Sequence, residues 1–494
     1  MDTLESVFPQ SLEYNDPKKA IMSARRTVSV KPLSGNKITS ASSSDRIQIR
    51  LPNVGCLENC YLKCKLKPTL ASSDDKAVVD PYAGSASWMR EVVLRSSDGS
   101  TVSQTNQYNR YCSVMNRFCV PKDVAENQMS LTDRCPSEND DEDDGFVSNA
   151  ETVATQAEDA LAVKLRAGSL SAHKRKSSEM TTGKEYTFCH EFQDNILDNS
   201  RDYKLPLFAM GSGMLLEITP EQGNNVFRLV KNTAITDSQT HRYARAPAGS
   251  LTSYDILDIE LVCDILFLES GTNQGISEQI CDGLRFAVPH VRHQVASINA
   301  TEQTVILSSQ GRSVDAIFAG LRNTGDSGSV QYDNASYYEA PDSGNVGYKL
   351  SKYQASVGSE ATPSFAVPYG AQSFQELKKA MKSINKDANH GGQVSIRQYT
   401  VDADDEGANN KSVALRKAAA WDAMPGSSVI GIGLRTHPRL ASDILAGRTA
   451  SSGSIPLSLD LTFSNLPNNA EMDVFTYSTQ VVEVLADGGI LISR

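Results

Sequence analysis

The chain has 494 residues and a mass of 53.5 kDa, enough for two large β domains or two to four smaller ones, each with a sizeable core. Hydrophobic residues make up 39% and charged residues 22%, which excludes an intrinsically disordered chain. Lys plus Arg number 48 against 59 Asp plus Glu, a net charge of −11 with a pI near 5.3. That balance argues against a dedicated nucleic-acid binder but allows a basic tail on an acidic body. No stretch approaches the roughly 18 uninterrupted apolar residues of a membrane helix. Met1-Asp2-Thr3-Leu4-Glu5 has neither the cationic nor the apolar region of a secretory signal. Nine cysteines cannot all pair within one chain, which points to reduced thiols in a cytosolic or nuclear compartment.

Residues 1–45 read as an arm. Lys18, Lys19, Arg25, Arg26, Lys31 and Lys37 follow one another with no acidic residue between them. Arg46–Leu51 then alternates, placing Ile47, Ile49 and Leu51 on one face of a strand. Cys60–Lys67 does the same, with Cys60, Leu62, Cys64 and Leu66 on one side and Tyr61 with three lysines on the other. A β segment from Trp88 to Leu94 runs into the turn signal Ser96-Ser97-Asp98-Gly99. Tyr108, Tyr111, Cys112, Met115 and Cys119 form one apolar helical stripe. Residues 120–185 differ in character. An acidic block, an Ala-rich stretch and His173-Lys174-Arg175-Lys176 predict an insertion on a surface loop.

Strands resume at Glu185–Phe192, Met214–Thr219 and Tyr254–Leu268. The second half repeats the style at Gln303–Leu307, Ala316–Leu321, Val394–Thr400, Val429–Leu434, Ile455–Phe463 and Val474–Leu485. One helix carries Phe374, Leu377, Met381 and Ile384, with Ser373 and Glu376 set as a capping box. Many short strands, few helices and long Gly/Ser/Asn/Asp loops in both halves predict an all-β chain of two sandwiches or barrels in series.

Chemical motifs are few. Asp140, Glu142, Asp144-Gly145 and Glu151 match the oxygen-ligand spacing of a calcium loop, although Glu142 stands where Asp or Asn is usual and no partner hand follows. Acidic runs are more often solvated loops. The arm residues Lys18, Lys19, Arg25, Arg26, Lys31 and Lys37 suit contact with nucleic acid or anionic headgroups by counterion release, against the plainer reading of a solvated tail. His173–Lys176 is short for a nuclear import signal. Cys56, Cys60 and Cys64 are spaced by four, but an alternating strand turns Cys60 and Cys64 into the core, and no fourth zinc ligand lies nearby. His290 and His293 belong to no zinc motif. Gly325-Asp326-Ser327-Gly328 echoes a serine-protease tetrapeptide without its context, and no phosphate-binding or dinucleotide loop occurs. Catalysis, a catalytic residue and a cofactor other than calcium are therefore not expected.

Taken in order, these features resemble the double-jelly-roll major capsid proteins of DNA viruses, of the virophage and polinton-like type. The resemblance spans most of residues 46–494. It rests on Arg46–Leu51, Cys60–Lys67, Ser85-Ala86-Ser87-Trp88 and Tyr108-Asn109-Arg110-Tyr111, followed by Lys204-Leu205-Pro206-Leu207 before Tyr254–Leu268. In the second half it rests on Gly311-Arg312-Ser313-Val314, Tyr353–Gly358, the Ser373–Ile384 helix, Ile455–Phe463, Met472–Leu485 and Asp487-Gly488-Gly489-Ile490. The domains expected are a basic arm (1–45), a first jelly roll (46–270, with the 120–185 insertion), a linker (271–300) and a second jelly roll (301–494). The resemblance implies a non-enzymatic subunit whose pseudo-hexagonal homotrimers tile an icosahedral shell around a viral genome. Implied partners are further copies of itself and penton or minor capsid proteins, with the genome or an internal membrane reached through the arm. Its place would be the virion, after synthesis in the host cytoplasm and assembly there or in the nucleus. The rival readings are a single-jelly-roll or other virion coat component, and a non-viral β-sandwich carbohydrate-binding protein or enzyme.

Overall fold

Period-two alternation of apolar side chains organises the chain into paired sheets. In the computed structural model the described residues are 23–71, 76–79, 83–120, 180–199, 204–211, 213–230, 251–268, 274–276, 278, 281, 283–308, 311–323, 349–386, 429–435, 447–450, 455–465, 470–485 and 488–493. The first half contains β1 (Ser23–Val30), β2 (Ile47–Arg50), β3 (Cys56–Leu70), β4 (Lys76–Val79), β5 (Met89–Arg95) and β6 (Thr101–Asn106). Helix α1 (Tyr108–Cys119) follows, then β7 (Met180–Thr181), β8 (Tyr186–His190), β9 (Leu205–Pro206), β10 (Leu215–Pro220), β11 (Phe227–Val230) and β12 (Leu251–Leu268). The second half contains β13 (Leu284–Ile298), β14 (Glu302–Leu307), β15 (Gly311–Asn323), β16 (Lys349–Val357) and β17 (Glu360–Pro368). Helix α2 (Ala371–Ser383) precedes β18 (Val429–Gly433), β19 (Arg448–Ala450), β20 (Leu457–Asn465), β21 (Ala470–Val484) and β22 (Ile490–Ser493).

Two sheets face each other in each half, and every strand pairing is antiparallel. In the first half the orders are β1-β12-β3-β8 and β2-β10-β5-β6; in the second they are β13-β21-β15-β18 and β14-β20-β16-β17. Counting only these eight long strands per half, both halves read 1-8-3-6 over 2-7-4-5. That is a jelly roll made twice, and in each copy the helix lies between the fifth and sixth strands. The small strands extend this frame: β11-β4-β7 form a separate sheet, β9 joins β3, β19 joins β15 and β22 joins β21.

The inward residues are those the alternation predicts. Ile47, Ile49, Cys60, Leu62, Cys64, Leu66, Ile259, Leu261, Cys263 and Ile265 fill the first core. Leu457, Leu459, Leu461 and Phe463 of β20 close over Val305, Leu307, Ile317 and Tyr353 in the second. The outward face of β3 carries the lysines, and Lys65 bonds Glu185 at 3.3 Å and Asp258 at 2.8 Å.

Four local expectations are corrected. The basic arm ends earlier than residue 45, because Ser23–Val30 pairs with β12 along its whole length as the first strand of the first roll. The stretch 271–300 is not simply a linker, because Leu284–Ile298 pairs with β21 over fifteen residues. Met180 and Thr181 lie in a sheet with β4, which takes the end of the 120–185 segment out of the loop. Ser373 is not the cap of α2. The helix begins at Ala371, and the Ser373 hydroxyl accepts the Gly370 N–H at 2.9 Å while donating to the Gly370 carbonyl at 2.8 Å.

Candidate functional site at the seam between the rolls

Helix α1 is buried on every side from Tyr108 to Phe118, although it carries Asn109, Arg110, Ser113, Asn116 and Arg117. Buried polar groups on such a helix must find partners. Asn109 Nδ2 donates to the Ser87 carbonyl at 3.2 Å, Gln193 Nε2 donates to Asn116 Oδ1 at 3.0 Å, and Arg117 Nη2 reaches Ser113 Oγ at 3.5 Å. One side of the helix, with Tyr108 and Cys112, belongs to the first core. The other side, with Tyr111, Val114, Met115 and Phe118, packs on the second roll. There it meets Val291 of β13, Phe318 of β15, Leu377 and Met381 of α2, and Phe475 and Tyr477 of β21.

Two buried carboxylates hold this contact. Asp473 on β21 is fully buried and takes two bonds from Arg110 Nη1, at 3.1 and 3.0 Å, and a third contact from His293 Nε2 at 2.8 Å. Arg110 comes from the first roll, whereas Asp473 and His293 come from the second, so this pair crosses the seam. Asp194, just past β8, mirrors it from the other side. It accepts from Tyr111 Oη at 2.8 Å and Tyr477 Oη at 3.2 Å, and pairs with Lys386 Nζ at 2.6 Å. Burial, then the Asp194 charge, pushes the Tyr111 pKa well up, so its hydroxyl stays a donor. Burial works against the Lys386 ammonium, yet Asp194, Cys119 and Asp198 outweigh it and raise its pKa. A third buried acid, Asp315, lies within the second roll and accepts from Ser313 and Thr479, with Arg435 Nε at 3.8 Å.

A second contact lies at the edge where β6 meets β13. Val288, Val482, Val484 and Ile490 of the second roll belong to the first roll's core cluster, and Gln480 Nε2 donates to the Val102 carbonyl at 2.8 Å. Here Gly211 (φ +59°) and Gly488 (φ +83°) touch backbone to backbone. A Cβ on Gly488 would stand 2.7 Å from the Gly211 nitrogen and 2.8 Å from its Cα. Gly488→Ala is therefore expected to lower stability by about 1–3 kcal/mol, read as a fall in the thermal midpoint. An unchanged midpoint would mean that this approach is not needed.

The residues singled out from the sequence fall elsewhere. Arg25 bonds Asp264 at 2.6 Å and Glu58 at 3.2 Å, and Arg26 lies 5.4 Å from the centroid of the Phe267 ring, so both are engaged by the first roll. Lys31 and Lys37 are exposed. Lys18, Lys19, Asp140, Glu142, Asp144, Glu151, His173–Lys176, Gly325–Gly328 and the Val394–Thr400 segment lie outside the described residues. Cys56, Cys60 and Cys64 are buried and form no disulfide. Burial raises the Cys60 pKa well above its ordinary value and pushes Cys263 up to about 12. A water-soluble thiol reagent is expected to modify exposed Cys281 first and to spare Cys60, Cys64 and Cys263 until denaturant is added. Peptide mapping reads this, and equal labelling of Cys263 and Cys281 in the folded protein would contradict it. Among the described residues no cluster of three His, Cys, Asp or Glu side chains is placed to hold a metal ion.

The seam residues were not singled out as a site from the sequence. Arg110, His293 and Asp473 are scattered along the chain, and only the fold brings them together.

No family model matches the sequence, and no curated protein matches it. The fold, in contrast, has solved counterparts. The capsid chain in the quasi-atomic model of the PBCV-1 virus capsid superposes with a TM-score of 0.54 at 10% identity, covering 97% of this chain and 98% of that one. The Faustovirus major capsid protein gives 0.54 at 11% identity, with 96% and 92% covered. A chain of the Sputnik virophage, solved by cryo-electron microscopy, gives 0.53 at 11% identity, with 99% and 93% covered. The chain has the double-jelly-roll fold of virus major capsid proteins. Coverage is nearly end to end in both directions, so the likeness extends across both rolls together. At this identity it speaks for architecture.

Proposed function

We propose that this double jelly roll is the major capsid subunit of a DNA virus, working by self-association and without catalysis. The observation that carries the reading is the doubled strand order, with its two copies joined by the buried Arg110–Asp473–His293 contact and by a shared apolar cluster. A body with two like lobes held in one orientation suits a tile, because three copies then present six similar lobes around an axis. Pseudo-hexagonal homotrimers of this kind would build an icosahedral shell around the genome. Penton and minor capsid proteins would fill the remaining positions, and Lys18 and Lys19, before β1, would contact genome or membrane. The finished protein would reside in the virion, after synthesis in the host cytoplasm and assembly there or in the nucleus.

The Asp140, Glu142, Asp144, Glu151 spacing stands in this reading as a calcium loop. Titration calorimetry with Ca²⁺ on the wild type and on Glu151→Gln tests it, and absence of heat from the wild type removes it. Electron microscopy of the purified protein tests the capsid reading itself. Hexagonal-looking particles with threefold symmetry support it, and monodisperse single chains oppose it. The carbohydrate-binding rival predicts binding to a glycan array instead.

A further inference from the structure

The internal repeat shows which surfaces a neighbouring copy should cover. Within one chain, the fifth strand of the first roll (β6) abuts the first strand of the second (β13), and the helix after β6 crosses onto the outer face of β13 and β21. The counterparts of these parts are the fifth strand of the second roll (β17), the helix after it (α2), and the first and eighth strands of the first roll (β1 and β12). The parts used in the seam are covered, whereas β17, most of β1 and the outer side of α2 are exposed. Three of the six β6 residues are buried, against one of nine in β17. Val288 and Val291 of β13 are buried in clusters shared with the first roll, whereas Ala24 to Ser29 of β1 are all exposed. Phe365 on β17 is 50% exposed and Val28 on β1 is 36% exposed.

The correspondence reaches single residues. On the second roll's eighth strand, Asp473 is bonded by His293, which sits opposite Phe475, two positions further on. On the first roll's eighth strand, Asp264 is bonded by Arg25, which sits opposite Leu266, again two positions further on. The first pair is sealed, with side-chain exposures of 0% and 6%; the second is open, at 20% and 53%. What seals the first pair is Arg110, a cation from the helix of the adjoining roll. The matching helix, α2, turns Lys379 and Lys382 outward, beside Lys378 over the Phe374 ring. Across from them, on this scheme, stand Asp264 and Glu260 of β12.

We propose that a second copy of this chain docks here. In this contact, β17 and the lysine face of α2 of one copy meet the β1–β12 edge of the next, repeating between chains the contact already made between rolls. Because the two faces differ, the contact is heterologous, and it ends in a closed ring when the rotation per step permits. This rests on the capsid reading above, and it adds which edges meet and which charges face each other.

Co-expression of two singly substituted full-length chains, Val28→Cys and Phe365→Cys, followed by a short bis-maleimide, tests it. The unsubstituted chain, which retains Cys281, measures the background. Cross-links joining a Val28→Cys chain to a Phe365→Cys chain are expected well above that background. A second variant, Lys378→Glu with Lys382→Glu, should lower the particle mass to that of one chain while leaving the thermal midpoint of the fold in place. A trimer that forms without the mixed cross-link and survives the charge reversal overturns this placement and leaves the capsid reading intact. A wild type that is monomeric at every concentration overturns both.

Discussion

Asp473→Ala is expected to cost about 3–5 kcal/mol, the range for removing one partner of a buried ion pair. The loss is large because the substitution strands the Arg110 guanidinium, whose side chain is only 6% exposed, against a helix and sheet with little water to replace the carboxylate. The same change removes the contact to His293 and takes away the carboxylate that Arg110 meets across the seam. Urea unfolding followed by tryptophan fluorescence reads it as a lower midpoint. Arg110→Met combined with Asp473→Leu should recover much of the loss, since two apolar groups of similar size fit where an isolated charge does not. A loss below about 1 kcal/mol for the single variant, the range of an exposed pair, would mean that the ion pair does not lock the rolls.

His190 should make the first roll acid-sensitive. Its ring is 3% exposed, with Nδ1 at 2.9 Å from Ser85 Oγ and Nε2 at 3.0 Å from Tyr108 Oη. The Tyr108 oxygen already accepts the Gln193 N–H at 2.9 Å, so its own proton is available for Nε2, and the ring is held neutral. Burial lowers the His190 pKa to about 3. The unfolded chain takes up this proton near the ordinary pKa of about 6.5. Between these two values the unfolded state binds more protons than the native state, so stability falls as the pH falls. It does so by up to about 1.4 kcal/mol per pH unit, and the slope ends near the folded pKa. Comparing wild type with His190→Gln between pH 6.5 and 5, where carboxylates remain ionised, isolates this group. The variant should lose part of the slope; equal slopes would show that His190 is not held neutral. Because Tyr108 opens α1, the strain of protonation would fall on the helix that carries Arg110 into the seam.

How much of this was legible in the sequence follows from how evenly each strand is buried. Cys60–Leu66 and Leu457–Phe463 separate a dry face from a wet one, so their alternation was plain. The stripe Tyr108, Tyr111, Cys112, Met115 and Cys119 pointed to a helix where α1 lies, yet the stripe could not tell that the helix is buried on the other side as well. β13 was missed because the seam covers part of its outer face. Val288 and Val291, three apart, are both buried, which spoils a period of two. β1 was missed because Ala24 to Ser29 are exposed on both faces; only the Thr27-Val28-Ser29-Val30 run hinted at a strand, and the arginines hid it. The Arg110–Asp473 contact joins residues 363 positions apart, and no local pattern carries such a pairing. The doubling of the fold was visible as a likeness of style between the halves, while the shared strand order needed the register of every pair.

The most direct test of the account is the mass of the purified full-length chain in solution, measured by light scattering across a range of concentrations. A capsid tile of this kind is expected at three times the chain mass of 53.5 kDa. A single-chain mass at all concentrations, or a stable dimer, would contradict it.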